Sequence, residues 1–197
     1  MTGQANNINL PAGTSGQIVT GEGATSPPGF TNATAVGGYI LLSTKTASGS
    51  ASIDFTSVIT SAYNMYRIYI VGLIPATNST QLYMNTSNNN SSWNTGAGAY
   101  NYIYFANSTT PTGAVSSTHM IMTPAVANAT YYNYFVVDLV IPSQSQMYAW
   151  WRGMGNAITN IQGGGTDLSG AAVNAVQFIM SSGNITAGTF TMYGFTS

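Results

Sequence analysis

A chain of 197 residues is long enough for one domain with its own core. Only 4% of its residues are charged, against roughly a quarter in an ordinary soluble protein, and the net charge is −1. Three cations cannot neutralise the phosphates of a nucleic-acid site or dock on anionic lipid. No run reaches the ~18 to 20 apolar residues of a membrane helix, and the absence of cysteine removes disulfides and thiolate chemistry.

Residues 1–35 hold Pro11, Pro27, Pro28 and many glycines but few bulky apolar side chains, and they read as an extended arm. Its candidate anchors for attachment to a partner are Ile8, Leu10, Ile18, Val19 and Phe30. The start of the chain has neither the basic nor the apolar region of a signal peptide, so export by that route is not expected.

Residues 36–197 read as the folded domain. A 12% aromatic content with many β-branched residues argues against disorder. Short alternating runs separated by Gly, Asn, Ser and Pro predict strands at Tyr39 to Thr46, Ala51 to Phe55, Met65 to Leu73, Thr80 to Thr86 and Tyr100 to Ala106. Further strands are predicted at His119 to Thr123, Tyr131 to Ile141, Gln146 to Gly153, Val173 to Met180 and Thr189 to Phe195. Between them, Ala47 to Ser50, Pro75 to Asn78, Ile141 to Gln144 and Ser181 to Asn184 carry turn chemistry.

The segment Phe55 to Tyr63 has room for one helical turn, and Ser87 to Ala99 and Asn107 to Ser117 read as long loops. About ten strands at this spacing predict an all-β fold, an antiparallel β-sandwich of jelly-roll type. Tyr131 to Ile141 is apolar on nearly both faces and needs cover from both sides, as a central strand or at a subunit contact.

Chemistry has little to work with. His119 is the only histidine, so a nucleophile and base pair or a zinc site has almost no donors, and the expectation is no catalytic residue, no metal and no cofactor. Glycoside cleavage needs two carboxyl groups across one bond, and Asp54, Asp138 and Asp167 lie in unlike settings. Asp138, in the most apolar strand, is expected to pair with Arg67 or Arg152. Gly163-Gly-Gly165 lacks the Lys-Ser/Thr of a phosphate loop and reads as a flexible turn. The aromatic set Tyr100, Tyr102, Tyr104, Tyr131, Tyr132, Tyr134, Tyr148, Trp150 and Trp151 reads as core and subunit interface, while Trp93, in a polar loop, is the candidate contact for a host glycan or protein.

Two stretches carry a family likeness. Ala12-Gly-Thr-Ser-Gly-Gln-Ile-Val-Thr-Gly-Glu-Gly-Ala24 resembles a Gly-Thr-Ser-Gly-Gln segment of tailed-bacteriophage tail-fibre and appendage proteins, departing from it at Gly21-Glu22. Ala51 to Tyr63, Ile74 to Asn78 and Ala172 to Gly194 are similar to a β-rich module of tail-fibre and virion proteins. The resemblance implies a non-enzymatic structural protein on the virion surface, made in the bacterial cytoplasm. It further implies a homotrimer joined to another virion protein of the head or tail. A capsid decoration or head-fibre protein is the alternative, and a depolymerase fragment a third.

Overall fold

In a computed structural model, residues 17–20, 29–32, 38–107, 110–128, 133–141, 146–155 and 159–195 are described. Among the described residues fourteen strands follow one another: β1 Gln17–Thr20, β2 Gly29–Asn32, β3 Tyr39–Ser50, β4 Ile53–Phe55, β5 Met65–Pro75, β6 Leu82–Ser87, β7 Tyr100–Ala106, β8 Thr112–Ser117, β9 Met120–Ile121, β10 Asn133–Val140, β11 Tyr148–Gly155, β12 Thr159–Asp167, β13 Ala175–Met180 and β14 Ile185–Phe195. Residues 1–36 and 37–197 are separate units. In the first, β1 and β2 pair antiparallel with Val19 opposite Phe30, so the predicted arm contains a hairpin. Ile8 and Leu10 lie outside the described residues, as do Tyr131 and Tyr132.

The second unit is an all-antiparallel sandwich. Its larger sheet runs β3-β14-β5-β10-β11-β12-β7-β8 and its smaller one β4-β13-β6-β9. Setting β7, β8, β11 and β12 aside, the eight remaining strands interleave as two Greek keys, which is jelly-roll connectivity. The four set aside form two insertions, one between β6 and β9 and one between β10 and β13, that extend the larger sheet beyond β10.

Alternation dictates the core. Tyr66, Ile68 and Ile70 of β5, Phe135, Val137 and Leu139 of β10, and Phe190 and Met192 of β14 point inward and are fully buried. From the smaller sheet, Leu82, Met84, Val176 and Phe178 meet them, with the Phe178 and Phe190 rings 5.6 Å apart. The doubly apolar strand is central: β10 lies between β5 and β11. A bulge interrupts the pairing of β14 with β5, where Gly72 takes a left-handed φ of 70°.

Four expectations differ from the structure. Gly163 to Gly165 is no turn but the middle of β12, paired on both sides with β11 and β7. Glycine is required there by close packing: a Cβ on Gly163 would stand 2.6 Å from the Trp151 ring and 2.7 Å from the Ile103 carbonyl oxygen. Thr112–Ser117, within a predicted loop, is the edge strand β8, which is hard to read because it pairs on one side only and buries little. The predicted turn Ala47 to Ser50 is the continuation of β3, held by β14 through Ala47 opposite Gly188 and Ser50 opposite Ile185. Phe55 to Tyr63 forms no helical turn. Ser57 is left-handed (φ 59°) with its N–H on Asn90 Oδ1, and the buried Tyr66 hydroxyl both accepts from Thr60 N–H and donates to Thr60 C=O.

Candidate functional site

The outer face of the larger sheet is the part of the fold with unspent chemistry. Large apolar side chains that face solvent are concentrated on it: Tyr39, Leu41, Val71, Ile103, Val115 and Trp150 are 46–79% exposed. Ordinary surfaces scatter such residues singly, and a contiguous set marks a contact or a binding surface. A neutralised ion pair divides this face into two halves.

The pair is Arg67 with Asp138, directly opposite each other on β5 and β10. Arg67 Nε and Nη2 donate to the two carboxylate oxygens at 2.5 and 2.8 Å, a forked geometry that holds both planes. Hydrogen bonding to Asp138 raises the Arg67 pKa further above its already high ordinary value. The guanidinium carbon also stands 5.2 Å from the centroid of the Tyr39 ring. Asp138 had two candidate partners, and its hydrogen-bonded one is Arg67, whereas Arg152 sits opposite Val136.

On the β3 side of the pair, rings join across strands. Tyr39 meets Tyr193 at 6.3 Å and Phe195 at 5.5 Å, and Tyr69 meets Tyr193 at 5.9 Å. Leu41 and Val71 stand beside this cluster, 58% and 51% exposed. The outer face of this half is an aromatic and aliphatic patch, and Lys45 of β3 stands opposite the inward-facing Phe190 in the register, off that face.

On the other side lies a trough built by the inserted strands. One cross-strand row runs Asp138, Trp150, Gly164, Ile103, Gly113 over β10, β11, β12, β7 and β8. Large residues alternate with glycines, so Trp150 and Ile103 stand as ridges and Gly164 is a floor without a side chain. Two hollows of about 470 and 690 Å³ flank these ridges and share Trp150, Ile103 and Gly164. Both volumes fall in the range of small-ligand sites. Arg152, Gln162 and Phe105, from the next row along, line the first hollow, and Tyr148 and Val115 line the second.

The remaining sequence candidates lie elsewhere. Trp93 is half-buried in the loop between β6 and β7 and lines neither hollow. Asp54 lies on the smaller sheet between the inward-facing Ile53 and Phe55, so it and Asp138 point to opposite outer faces of the sandwich. There a polar ladder crosses β4, β13 and β6 and ends at the residue before β9: Gln177 Nε2 donates to Asp54 Oδ1 at 3.0 Å, Asn85 Nδ2 donates to Gln177 Oε1 at 3.0 Å, and His119 Nδ1 meets Asn85 Oδ1 at 2.7 Å. Since Asn85 presents its oxygen, His119 Nδ1 carries the proton. Tyr83 stacks on the imidazole at 4.8 Å, and burial lowers the His119 pKa. The ladder runs from the Asp54 carboxylate through the amides of Gln177 and Asn85 to the ring, with each donor matched to an acceptor, which suits structure more than proton transfer.

Asp167 ends β12 and is 1% exposed. Its carboxylate accepts from Thr86 Oγ1, Asn94 Nδ2, and both the N–H and the hydroxyl of Ser169. Thr86 Oγ1 also meets the Tyr100 hydroxyl at 3.0 Å, and burial pushes the Tyr100 pKa up to about 12. This network ties the loop after β6 to the end of β12 and leaves no free oxygen facing a cleft. Among the described residues no three His, Cys, Asp or Glu side chains group closely enough to hold a metal ion. Comparison with protein-family models, curated proteins and solved structures gives no match.

Proposed function

We propose that this chain is a non-enzymatic structural module of a tailed-phage virion, a homotrimer displayed on the particle and contacting the host surface. One observation carries the assembly part of this reading. The β3 half of the larger sheet exposes Tyr39, Leu41 and Val71 around an aromatic cluster, and the Arg67 that stands against Tyr39 is neutralised by Asp138. A chain with 4% charged residues offers little repulsion between copies, so such a patch favours burial against another subunit. Three-fold assembly and the virion setting come from the resemblance of Ala12 to Ala24 and Ala172 to Gly194 to tail-fibre and appendage proteins. Residues 1–35, with Ile8, Leu10, Ile18, Val19 and Phe30, are the segment proposed to join a virion protein of the head or tail.

The test has two readouts. Light scattering on the intact protein is expected to give three times the 20.6 kDa chain mass, and Leu41→Asp with Val71→Asp is expected to give folded monomers. Immunogold labelling of purified particles is expected to place the protein at a discrete site on the virion. A wild-type monomer at micromolar concentration refutes the assembly, and absence from purified particles refutes the setting.

A further inference from the structure

We propose that the trough over Gly164 is a binding site for an acidic oligosaccharide, with Trp150 as stacking platform and Arg152 and Gln162 as its hydrogen-bonding rim. This rests on the reading of the module as one displayed toward a host surface, and it names the class of molecule contacted there.

The first argument is where scarce residues have been placed. The chain has three cations and three tryptophans, and two of each, Arg67, Arg152, Trp150 and Trp151, line this one hollow. Trp151 points inward, 2% exposed, with its indole N–H on the Met122 carbonyl oxygen at 2.8 Å, and so forms rigid support. Trp150, its neighbour in sequence, points outward and is 59% exposed. A tryptophan left this open on a strand is a stacking surface waiting for a partner.

The second argument is shape. Trp150 and Ile103 stand two strands apart, about 10 Å at the backbone given a strand spacing of ~4.8 Å, with only glycine between them. The Trp150 indole leans over that glycine, its Cδ1 and Nε1 3.4 and 3.5 Å from where a Cβ on Gly164 would stand, and a sugar ring lays its apolar face on the exposed side of the indole. Because Trp150 borders both hollows, a second ring follows on its other side, toward Tyr148 and Val115. The occupant is therefore a chain of at least two rings.

The third argument is charge. Asp138 is committed to Arg67, whereas Arg152 has no carboxylate within salt-bridge distance among the described residues. The lining counts two arginines against one aspartate, a surplus of one positive charge in a protein whose total is −1. An exposed guanidinium beside the amide of Gln162 presents parallel donors of the kind that hold a carboxylate in two bonds. A nucleic acid would need a row of such cations, and the chain does not have them.

The site also lies where a fold acquires function. Trp150, Arg152, Gln162, Gly164 and Ile103 ride on β11, β12 and β7, strands of the two insertions into the jelly roll, while β5 and β10 add only the Arg67 and Asp138 pair and Val136, and binding residues commonly ride on such additions to a scaffold.

The test uses the full chain and immobilised polysaccharides: polysialate, polygalacturonate, hyaluronate and alginate as acidic probes, dextran as neutral control, and polyphosphate as a control for charge alone. Retention on at least one acidic polysaccharide is expected, weakened tenfold or more by Trp150→Ala, by Arg152→Gln and by Gly164→Val, and unchanged by Trp93→Ala. Melting temperatures of the variants separate lost binding from lost folding, and both Trp150 and Arg152 are exposed enough to replace. No retention on any acidic probe, equal retention on dextran, or retention on polyphosphate that Trp150→Ala leaves intact overturns the proposal. Light scattering on the same sample keeps the two readings apart: a trimer that binds nothing refutes the saccharide site alone, and a monomer that binds refutes the assembly alone.

Discussion

Replacing Gly163 by alanine tests whether the glycine run is a packed strand. The new Cβ would lie 2.6 Å from Cε2 and Cζ2 of Trp151 and 2.7 Å from the Ile103 carbonyl oxygen, so something must move. Ile103 is held in β7, and Trp151 is 2% exposed and tethered through its indole N–H to Met122. Overpacking of this kind costs ~1–3 kcal/mol, and if the indole tilts away its buried donor loses a partner at ~1–3 kcal/mol. Against this, alanine restricts the unfolded chain and returns ~0.4–1 kcal/mol. The net expectation is a loss of about 2–4 kcal/mol, or roughly 5–15 °C in melting temperature for a domain of this size. Gly164→Ala is the internal control, since its Cβ meets only the Ala149 oxygen at 3.2 Å and the edge of Trp150, and a change within ~1 kcal/mol is expected there. Urea unfolding followed by tryptophan fluorescence reads both. If the two substitutions cost the same within ~0.5 kcal/mol, Trp151 does not lie on Gly163 and the packing argument for the run is wrong.

Two titrations probe the buried polar groups. Tyr100 has its pKa pushed from 10.0 up to about 12 by burial. Between those values the unfolded chain has released the proton and the folded chain keeps it, so stability present below pH 10 is lost as pH rises toward 12. Tyr100→Phe is expected to cost ~1–2 kcal/mol at pH 7, because the Thr86 N–H and hydroxyl lose their partner, and to make the alkaline decline shallower. An equally steep decline in the variant would remove Tyr100 as its source. His119 is lowered from 6.5 by burial, so below about pH 6.5 the unfolded chain binds a proton that the folded one refuses. Stability therefore falls as pH drops through that window. In His119→Gln this fall is expected to shrink in melting curves between pH 7 and 5, and an unchanged slope removes the half-buried ring as its source.

The sequence made the jelly-roll strands legible because their inner faces must be apolar at a period of two, and runs such as Leu82 to Asn85 and Val176 to Met180 can satisfy that only as strands. The same rule fails where packing rewards the absence of a side chain. Gly163 to Gly165 has no periodicity to detect, since its contribution is to let Trp151, Met120 and Ile103 come close. Edge strand β8 escapes for a related reason: Val115 is 79% exposed, so no buried face imprints a pattern on the run. The trough is harder still. Its row Asp138, Trp150, Gly164, Ile103, Gly113 takes one residue from each of five strands, and no local window contains two of them. What the sequence does show is Tyr148-Ala-Trp-Trp-Arg-Gly153, in which strict alternation sends Tyr148, Trp150 and Arg152 to one face. With Ala149 and Trp151 taken as the inward pair, that segment already predicts an outward Tyr, Trp and Arg stripe. It is a stronger pointer to a contact surface than an isolated loop tryptophan such as Trp93, because three large outward side chains on one strand are held in register before any partner arrives.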